Sequence, residues 1–261
     1  MTPSKAIRAG YRQMSPDDQL PVAVRSSATA EDLPDASFAG QQDTYLWVVG
    51  ADDVVAKVKA CWASLFNARA ISYRNRNGLG QINVLMAVGV QKMVNARTAG
   101  VAMTLDPCNG DRSRIAIDAS WGLGEAVVSG EVTPDHFVVD KVLRQVVSRT
   151  ISDKAVEVVA EPGARRTVRR DVPPQRRRAP CLSDRQVVAV AAMARQLERA
   201  FGAPQDVEWA IEACPADPDG RLMLLQCRPE TVWSRRAAAQ SAAPGLNGLV
   251  ANLLTPVRIQ V

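Results

Sequence analysis

The sequence predicts an α+β protein in which strands outnumber helices. Strand-like stretches fill the middle of the chain, and a few stretches with apolar residues at three- and four-residue spacing indicate amphipathic helices. Clusters of glycine, proline, asparagine and aspartate separate these stretches as turns. With 261 residues, of which 47% are hydrophobic and 23% charged, the chain can bury a large core as one or two globular domains.

The composition argues against several classes of protein. No stretch approaches the roughly 20 apolar residues that span a bilayer, and the N-terminus lacks the apolar core of a signal peptide. We therefore expect a cytoplasmic protein without a membrane partner. The five cysteines form no C-x-x-C motif, which argues against a disulfide framework, and a single histidine argues against a Cys/His zinc site.

Residues 1–20 are polar and predict a short helix or a loose arm, with S-P-D-D at 15–18 as a local helix start. The next segment predicts a strand, a polar loop, a turn and a second strand. Arg25 stands where the first strand becomes a loop, and a guanidinium there can bind phosphate through two hydrogen bonds. Gly40 lets backbone N–H groups approach an anion, and Thr44 adds a hydroxyl. An ordinary surface loop with one solvated arginine fits the residue types equally well.

Residues 52–77 predict one amphipathic helix. Two aspartates at its start favour the N-terminus through the helix dipole, and Asn77-Gly78 is a typical stop. We expect its periodic apolar residues, including Trp62 and Phe66, to lie in the core: Val54, Val55, Val58, Trp62, Leu65, Phe66 and Tyr73.

The apolar run from Val84 to Val90 predicts a buried strand that leads to Gln91 and its neighbour Lys92. A side-chain amide or backbone groups at a strand edge can recognise adenine at such a place. Two further strands are expected within 98–118, joined by a turn at 106–111.

The glycine-rich sequence W-G-L-G-E at 121–125 predicts a tight turn that opens a short helix. Glu125 is either a residue lining the site or a structural cap. His136 follows a Pro-Asp turn and opens the next strand, and we interpret it as structural.

Residues 137–160 predict a β-meander, and an arginine- and proline-rich segment follows. Its arginines, from Arg165 to Arg178, raise the possibility of a nucleic-acid partner. A solvated connecting loop is favoured because no aromatic residues for base stacking are interleaved with them. The pair Ser183 and Gln186 then forms a capping box, which starts a helix that ends near Phe201.

Residues 205–230 predict a β-hairpin with a turn at 217–220. Alternation places Glu208 on one face of the first strand, and Gln226 and Arg228 on one face of the second. A carboxylate and an amide oxygen suit Mg²⁺, and the guanidinium can bind phosphate beside it. An ordinary polar sheet face is the alternative.

Two stretches, V-R-S-S-A-T-A-E-D at 24–32 and S-F-A-G-Q at 37–41, resemble the ATP-binding domain of the phosphoenolpyruvate synthase and pyruvate phosphate dikinase family. Within that family the chain most resembles phosphoenolpyruvate synthase and the rifampicin phosphotransferases. Matches continue in the same order to about residue 233. The resemblance implies an ATP-grasp-type fold, incomplete at its N-terminus. It covers residues 21–233, between an N-terminal arm at 1–20 and a tail or linker stub at 234–261.

The resemblance also implies the site residues. It assigns catalytic roles to Arg25 and Arg228 and a Mg²⁺ site to Glu208 and Gln226. The positions that match ATP contacts are Arg25, Gly40, Thr44, Gln91, Glu208, Gln226 and Arg228.

The resemblance implies a kinase-type phosphotransferase. Members of the family split ATP to AMP and phosphate and pass a phosphoryl group to a histidine on another domain, and then to an acceptor such as pyruvate. An N-terminal portion with a glycine-rich segment and a lysine, and the phosphohistidine domain, are not present in this sequence. Two hypotheses follow. The chain is either an ATP-binding part that works with a phosphohistidine-bearing domain or subunit in trans, or a truncated, non-catalytic remnant that at most binds a partner.

Overall fold

A computed structural model describes residues 2–28, 32–33, 36–37, 44–76, 84–161, 164–214 and 216–234. Gly40 and the predicted stop at Asn77-Gly78 lie outside these residues. The described part combines antiparallel sheets with helices packed on them, which confirms the α+β class. It contains no helix that is long and apolar enough to cross a membrane.

The helices are α1 (Pro3–Met14), α2 (Ala51–Ser64), α3 (Ala68–Arg76), α4 (Glu125–Val128), α5 (Pro174–Arg177) and α6 (Asp184–Phe201). The first seven strands are β1 (Val22–Ala28), β2 (Asp32–Leu33), β3 (Ala36–Ser37), β4 (Thr44–Val48), β5 (Met86–Lys92), β6 (Ala96–Met103) and β7 (Arg114–Trp121). The others are β8 (Asp135–Asp140), β9 (Gln145–Thr150), β10 (Val156–Ala160), β11 (Thr167–Asp171), β12 (Gln205–Cys214) and β13 (Asp217–Pro229).

The smaller of the two main sheets has three antiparallel strands in the order β4-β1-β5. Val22 and Val24 of β1 are fully buried against a cluster that includes residues of α1 and α2. Tyr11 of α1 fixes this packing, because its hydroxyl donates to the Leu20 carbonyl at 2.7 Å and accepts from Gly50 N at 3.0 Å. The helix that the sequence allows at 1–20 is therefore part of a packed core.

The larger sheet has six strands in the order β13-β12-β6-β7-β8-β9. Helix α6 covers one face, which we call the helix face, where Trp209, Phe137 and Val190 are buried together. The predicted capping box is confirmed, since Ser183 Oγ accepts from Gln186 N at 3.3 Å and Gln186 Oε1 accepts from Ser183 N at 2.8 Å. The opposite face, which we call the site face, carries Glu208.

The glycine-rich motif at 121–125 forms the predicted tight turn and short helix α4. Gly122 has φ of 76°, and a Cβ there would lie 2.3 Å from the Val158 carbonyl oxygen. Only glycine allows this approach, which lets Leu123 N donate to the same carbonyl at 2.8 Å. The motif thus joins the large sheet to the pair β10-β11.

A buried ion pair holds the segment after β9 to the sheet. Lys154 and Asp135 are each 0% exposed, and Lys154 Nζ lies 2.5 Å from Asp135 Oδ1. The same carboxylate accepts from the backbone N–H groups of Ser152 and Cys181, both at 2.9 Å. Every oxygen of this carboxylate is therefore occupied within the protein.

The structure corrects the prediction of one helix over 52–77. Asn67 starts a new helix, because its side-chain oxygen accepts from Ala70 N at 2.7 Å. Trp62 lies within α2, outside its buried stripe of Val54, Val58 and Cys61, and Phe66 lies in the turn between α2 and α3. Trp62 and Phe66, predicted to lie in the core, are 38% and 66% exposed. The predicted helix start at 15–18 is also wrong, since α1 ends there and Ser15 N donates to the Tyr11 carbonyl.

Three strand predictions also change. β5 is an edge strand with alternating exposure, so it is not fully buried. β10 pairs with β11 and not with β9, so 137–160 is not one meander. The turn predicted at 217–220 lies inside β13, where Gly220 with φ of 75° sits beside an irregularity in the ladder. Glycine there permits a bulge without ending the strand.

Candidate nucleotide and metal site

Arg25 connects the two main sheets. Its Nη2 donates to Glu208 Oε2 of β12 at 2.8 Å and to Gln226 Oε1 of β13. Its Nη1 lies 3.4 Å from the Leu225 carbonyl oxygen. One guanidinium therefore joins a carboxylate, an amide oxygen and a backbone carbonyl across the interface between the sheets.

The alternation of β1 explains how Arg25 reaches this position. Val22 and Val24 are buried against the helices, so Ala23 and Arg25 lie on the other face. Thr44 of β4 is the cross-strand partner of Arg25, and Gln91 of β5 is the partner of Ala23. Both partners are exposed, and both belong to the face that carries Arg25. Thr44 and Gln91 therefore stand beside Arg25, on the small sheet.

The hairpin of β12 and β13 supplies the opposite wall. Glu208 pairs with Gln226, and Asp206 pairs with Arg228. The predicted hairpin and the predicted common face of Glu208, Gln226 and Arg228 are confirmed by this register. A bulge follows the Glu208–Gln226 pair, and it places Leu225 as the extra residue whose carbonyl faces Arg25.

Asp206 is a site residue that the sequence analysis did not select. Its Oδ2 lies 3.6 Å from Arg228 Nε. The signal for it was present, because Asp206 and Glu208 are two positions apart on one strand and must share a face. A cavity of about 240 Å³ adjoins this pair, and Met103, Pro107 and Trp233 help to line it.

The site is open to solvent. The Arg25 side chain is 22% exposed and that of Glu208 is 33% exposed. Partly exposed groups can exchange their hydrogen-bond partners for a ligand, whereas fully buried ones pay a large desolvation cost when they lose a partner. This cluster is therefore accessible to a charged ligand.

The donor set fits Mg²⁺. Glu208 and Gln226 present a carboxylate and an amide oxygen from cross-strand partners, and both already accept from a single positively charged group. Mg²⁺ commonly takes one or two protein oxygens and completes its shell with water and phosphate oxygens. Among the described residues there is no cluster of three or more His, Cys, Asp and Glu side chains that could hold a metal. A two-ligand site completed by a nucleotide is the arrangement that these residues allow.

Glu125 and Lys92 do not join the cluster in the structure. Glu125 is exposed in the first turn of α4, and α4 lies on the site face, because a Cβ on Gly124 would contact Ala99 of β6. Lys92 is exposed at the end of β5 and follows Gln91, so it belongs to the other face of that strand.

His136 makes a local pair. Its Nδ1 lies 2.8 Å from Asp118 Oδ1 on the neighbouring strand, and this hydrogen bond raises the pKa of the imidazole. His136, Asp118, Val101 and Glu208 are successive cross-strand partners, so the pair stands on the site face, with Asp118 two strands and His136 three strands away from Glu208.

The arginine-rich segment is bound to the rest of the protein. It is not only the predicted connecting loop, since it forms β11 and α5. Arg170 and Arg176 both pair with Glu157, and Arg177 and Arg178 both pair with Asp153. The remaining arginines of the segment also have partners: Arg165 with Gln19, Arg166 with Glu161 and Arg169 with Glu131. Much of its positive charge is thus neutralised internally.

The chain is similar in sequence to a known domain family and to curated proteins. A family model described as pyruvate phosphate dikinase, AMP/ATP-binding domain, matches residues 3–245. The chain is 44% identical to phosphoenolpyruvate synthase of Pyrococcus furiosus over 247 residues, 92% of this chain and 30% of that protein. It is 51% identical to a probable phosphoenolpyruvate synthase of Methanothermobacter thermautotrophicus over 214 residues, 82% of this chain and 30% of that protein. The chain thus spans about three tenths of the length of the curated relatives it matches.

Proposed function

Because this chain belongs to the family of pyruvate phosphate dikinase AMP/ATP-binding domains, we propose that it is the ATP-binding part of a dikinase-type phosphotransferase. In the proposed reaction ATP is split to AMP and phosphate. A phosphoryl group passes to a histidine on another domain or subunit, and then to an acceptor such as pyruvate. This proposal is supported by relatives that are named phosphoenolpyruvate synthase or probable phosphoenolpyruvate synthase.

The observation that carries the proposal is the position of Arg25. It bridges Glu208 and Gln226, which are the two residues proposed to bind Mg²⁺, and it does so from the sheet that also carries Thr44 and Gln91. An ordinary polar sheet face would not need a cation delivered from a separate sheet. The meeting of two antiparallel sheets at this point also supports the ATP-grasp-type fold, which we propose together with the function.

We propose that Arg25 changes partners when nucleotide binds. In the nucleotide-free protein its guanidinium neutralises Glu208 and occupies the oxygen of Gln226. When Mg²⁺ is bound by these two oxygens it supplies positive charge beside the phosphates. Arg25 and, from the adjacent pair, Arg228 would then donate to phosphate oxygens and stabilise the charge that develops during transfer.

We propose the remaining contacts from the strand register of Gln91 and Thr44, and from the family resemblance for Gly40. Gln91 offers an amide for recognition of the adenine, Thr44 offers a hydroxyl beside Arg25, and Gly40 is proposed to bring backbone N–H groups to the phosphates. The division into an arm at 1–20, a nucleotide-binding unit at 21–233 and a tail stays a prediction. The packing of Tyr11 supports counting α1 with that unit.

Calorimetry with the intact chain tests the function. We expect Mg·ATP to bind with micromolar affinity, and we expect Glu208→Gln to weaken this binding about tenfold, because a charge-assisted contact is lost. In EDTA the same substitution should change ATP binding much less, since Glu208 then has no metal to bind.

Glu131→Gln is the matched control. It removes the same charge from an exposed side chain whose pairing with Arg169 is long, at 3.5 Å, and it should leave ATP binding unchanged. A folded chain that binds no Mg·ATP at millimolar concentrations would refute the proposed function and favour the non-catalytic remnant. Equal losses from Glu208→Gln with Mg²⁺ and with EDTA would refute the metal role alone.

A further inference from the structure

A second cluster of positive charge lies on the other side of the large sheet. It surrounds a cavity of about 260 Å³ between α6, the ends of β7 and β8, and the turn that leads to β9. Arg144 of the turn and Arg195 and Arg199 of α6 line this cavity. It lies on the helix face, whereas the proposed nucleotide site lies on the site face, so the two are separate.

The three arginines are not neutralised. Within the described residues, no acidic side chain forms an ion pair with Arg144, Arg195 or Arg199. The nearby acids already have partners, since Glu198 pairs with Lys141 at 2.8 Å and Asp140 pairs with Arg114 at 2.5 Å. Asp140 and Lys141 also line the cavity and offset each other, so the three arginines leave it with an excess of positive charge that no ion pair among the described residues neutralises.

These charges repel one another. Arg195 and Arg199 are four residues apart on α6 and so share a face, where like charges destabilise a helix. Desolvation lowers the pKa of Arg195, the charges of Arg199 and Arg144 lower it further, and the charge of Glu198 partly opposes them. This contrasts with the arginine-rich segment at 165–178, in which the described arginines have partners.

Arg144 occupies a backbone position that does not favour it. Its φ is 57°, in the left-handed region, which non-glycine residues rarely adopt. Glycine or asparagine is preferred in such a turn. A long cationic side chain at the rim of the cavity is thus kept in spite of a local cost, which indicates a use beyond the turn.

The floor of the cavity is apolar. Val188, Ala191 and Ala192 of α6 form one side, and Ile115 and Val139 of the sheet form the other. Ile115, Val139 and Ala191 are themselves buried, whereas Val188 and Ala192 remain accessible, and an inorganic anion alone would leave these two in contact with water. The combination of an apolar floor with three guanidiniums at the rim suits a small molecule that has both an apolar part and a phosphate group.

We propose that this cavity binds a small phosphate-bearing organic molecule, with the phosphate held by Arg144, Arg195 and Arg199 and the organic part against the apolar floor. The proposal is independent of the function proposed above. Such a ligand relieves the mutual repulsion of the arginines, so its binding should also stabilise α6 and the β8–β9 turn.

Phenyl phosphate is the probe for the test, with inorganic phosphate and phenol as comparisons, titrated into the intact chain by calorimetry at low salt. We expect phenyl phosphate to bind at least about fivefold more tightly than inorganic phosphate, because only it covers the apolar floor. Arg195→Gln and Arg144→Gln should each weaken its binding about tenfold. Arg12→Gln, which removes one exposed positive charge from α1, should change it by less than about twofold.

Two results would overturn the proposal. One is that a folded chain binds no phenyl phosphate at a ligand concentration of about 10 mM. The other is binding that Arg25→Met removes and Arg195→Gln leaves intact, which would assign the anion to the site face. Arg199→Gln provides a third variant in case one substitution perturbs folding, and circular dichroism checks each variant.

Discussion

The Lys154–Asp135 pair and the Arg25–Glu208 pair each join a cation to a carboxylate, at 2.5 Å and 2.8 Å. The first is 0% exposed on both sides, and the second is 22% and 33% exposed. Asp135 also accepts from two backbone N–H groups, so no acceptor position is left for a ligand. In the second pair the cation comes from a different sheet and also holds Gln226.

The difference in burial indicates that the first pair has a structural role and that the second is available for ligand binding. A buried pair with all of its hydrogen bonds made cannot exchange a partner without leaving a charge in an apolar environment, so it fixes the chain. A half-exposed pair loses little when water or a ligand replaces one partner, so it is available for binding. Distance alone does not separate the two roles, whereas burial and the number of remaining acceptors do.

The largest effect is expected at the buried pair. Lys154→Met should lower the free energy of unfolding by about 3–5 kcal/mol, because it leaves the Asp135 carboxylate buried without its counter-ion. Urea denaturation monitored by circular dichroism measures this. Lys59→Met, on the exposed side of α2, is the control and should stay within about 0.5 kcal/mol. A loss below about 1 kcal/mol at Lys154 would contradict the structural role assigned to the pair.

A smaller effect is expected at Arg25, where one substitution should weaken nucleotide binding but strengthen metal binding. Arg25→Met should weaken Mg·ATP binding by about 10- to 100-fold, because a charge-assisted contact to phosphate is lost. In the absence of nucleotide it should strengthen binding of Mn²⁺, a probe for the Mg²⁺ site, because Glu208 and Gln226 are no longer occupied. Free Mn²⁺ measured by electron paramagnetic resonance tests the second part, and Arg12→Met is the control.

Two further readouts make this test decisive. The free energy of unfolding of Arg25→Met should change by less than about 1 kcal/mol, in contrast with Lys154→Met. If Mn²⁺ binding without nucleotide were unchanged or weaker in Arg25→Met, Arg25 would not compete with the metal. The proposed exchange of partners would then be wrong, even if ATP binding were lost.

The smallest effect on stability is expected at His136. Its pair with Asp118 lies on the site face, and the imidazole is charged only when it is protonated. The hydrogen bond that His136 makes to the Asp118 carboxylate raises the pKa of His136 in the folded protein. Protonation therefore favours folding, and this contribution is fully present below about pH 6.5, the unfolded value, and is lost as pH rises through the folded pKa. Since the sequence contains one histidine, a single imidazole signal in an NMR titration reports this pKa. Asp118→Asn should lower it, and an unchanged pKa would contradict the pairing.

The sequence predicted those parts of the site that depend on local alternation. Glu208, Gln226 and Arg228 could be assigned to one face because side chains alternate along a strand, and Asp206 belongs there by the same rule. The capping box at Ser183 was predictable for a similar reason, since its two residues are three apart.

The contacts of Arg25 could not be predicted from local patterns. It is separated from Glu208 by 183 residues and from Gln226 by 201, and no periodicity specifies which sheets meet. The helix break at Asn67 was missed because the apolar spacing continues through it, while one side-chain hydrogen bond decides the geometry. The neutralisation of the arginine-rich segment was also hidden, since its acidic partners come mainly from other segments, such as Glu131 and Asp153.

The strand order of the large sheet has a consequence for the synthesis of the protein. β12 and β13 are made about a hundred residues after β6, and β12 pairs directly with β6. Until they are made, β6 is an open edge, and Arg25 lacks the acceptors that Glu208, Leu225 and Gln226 provide. The proposed nucleotide site is therefore completed only when this hairpin joins the sheet.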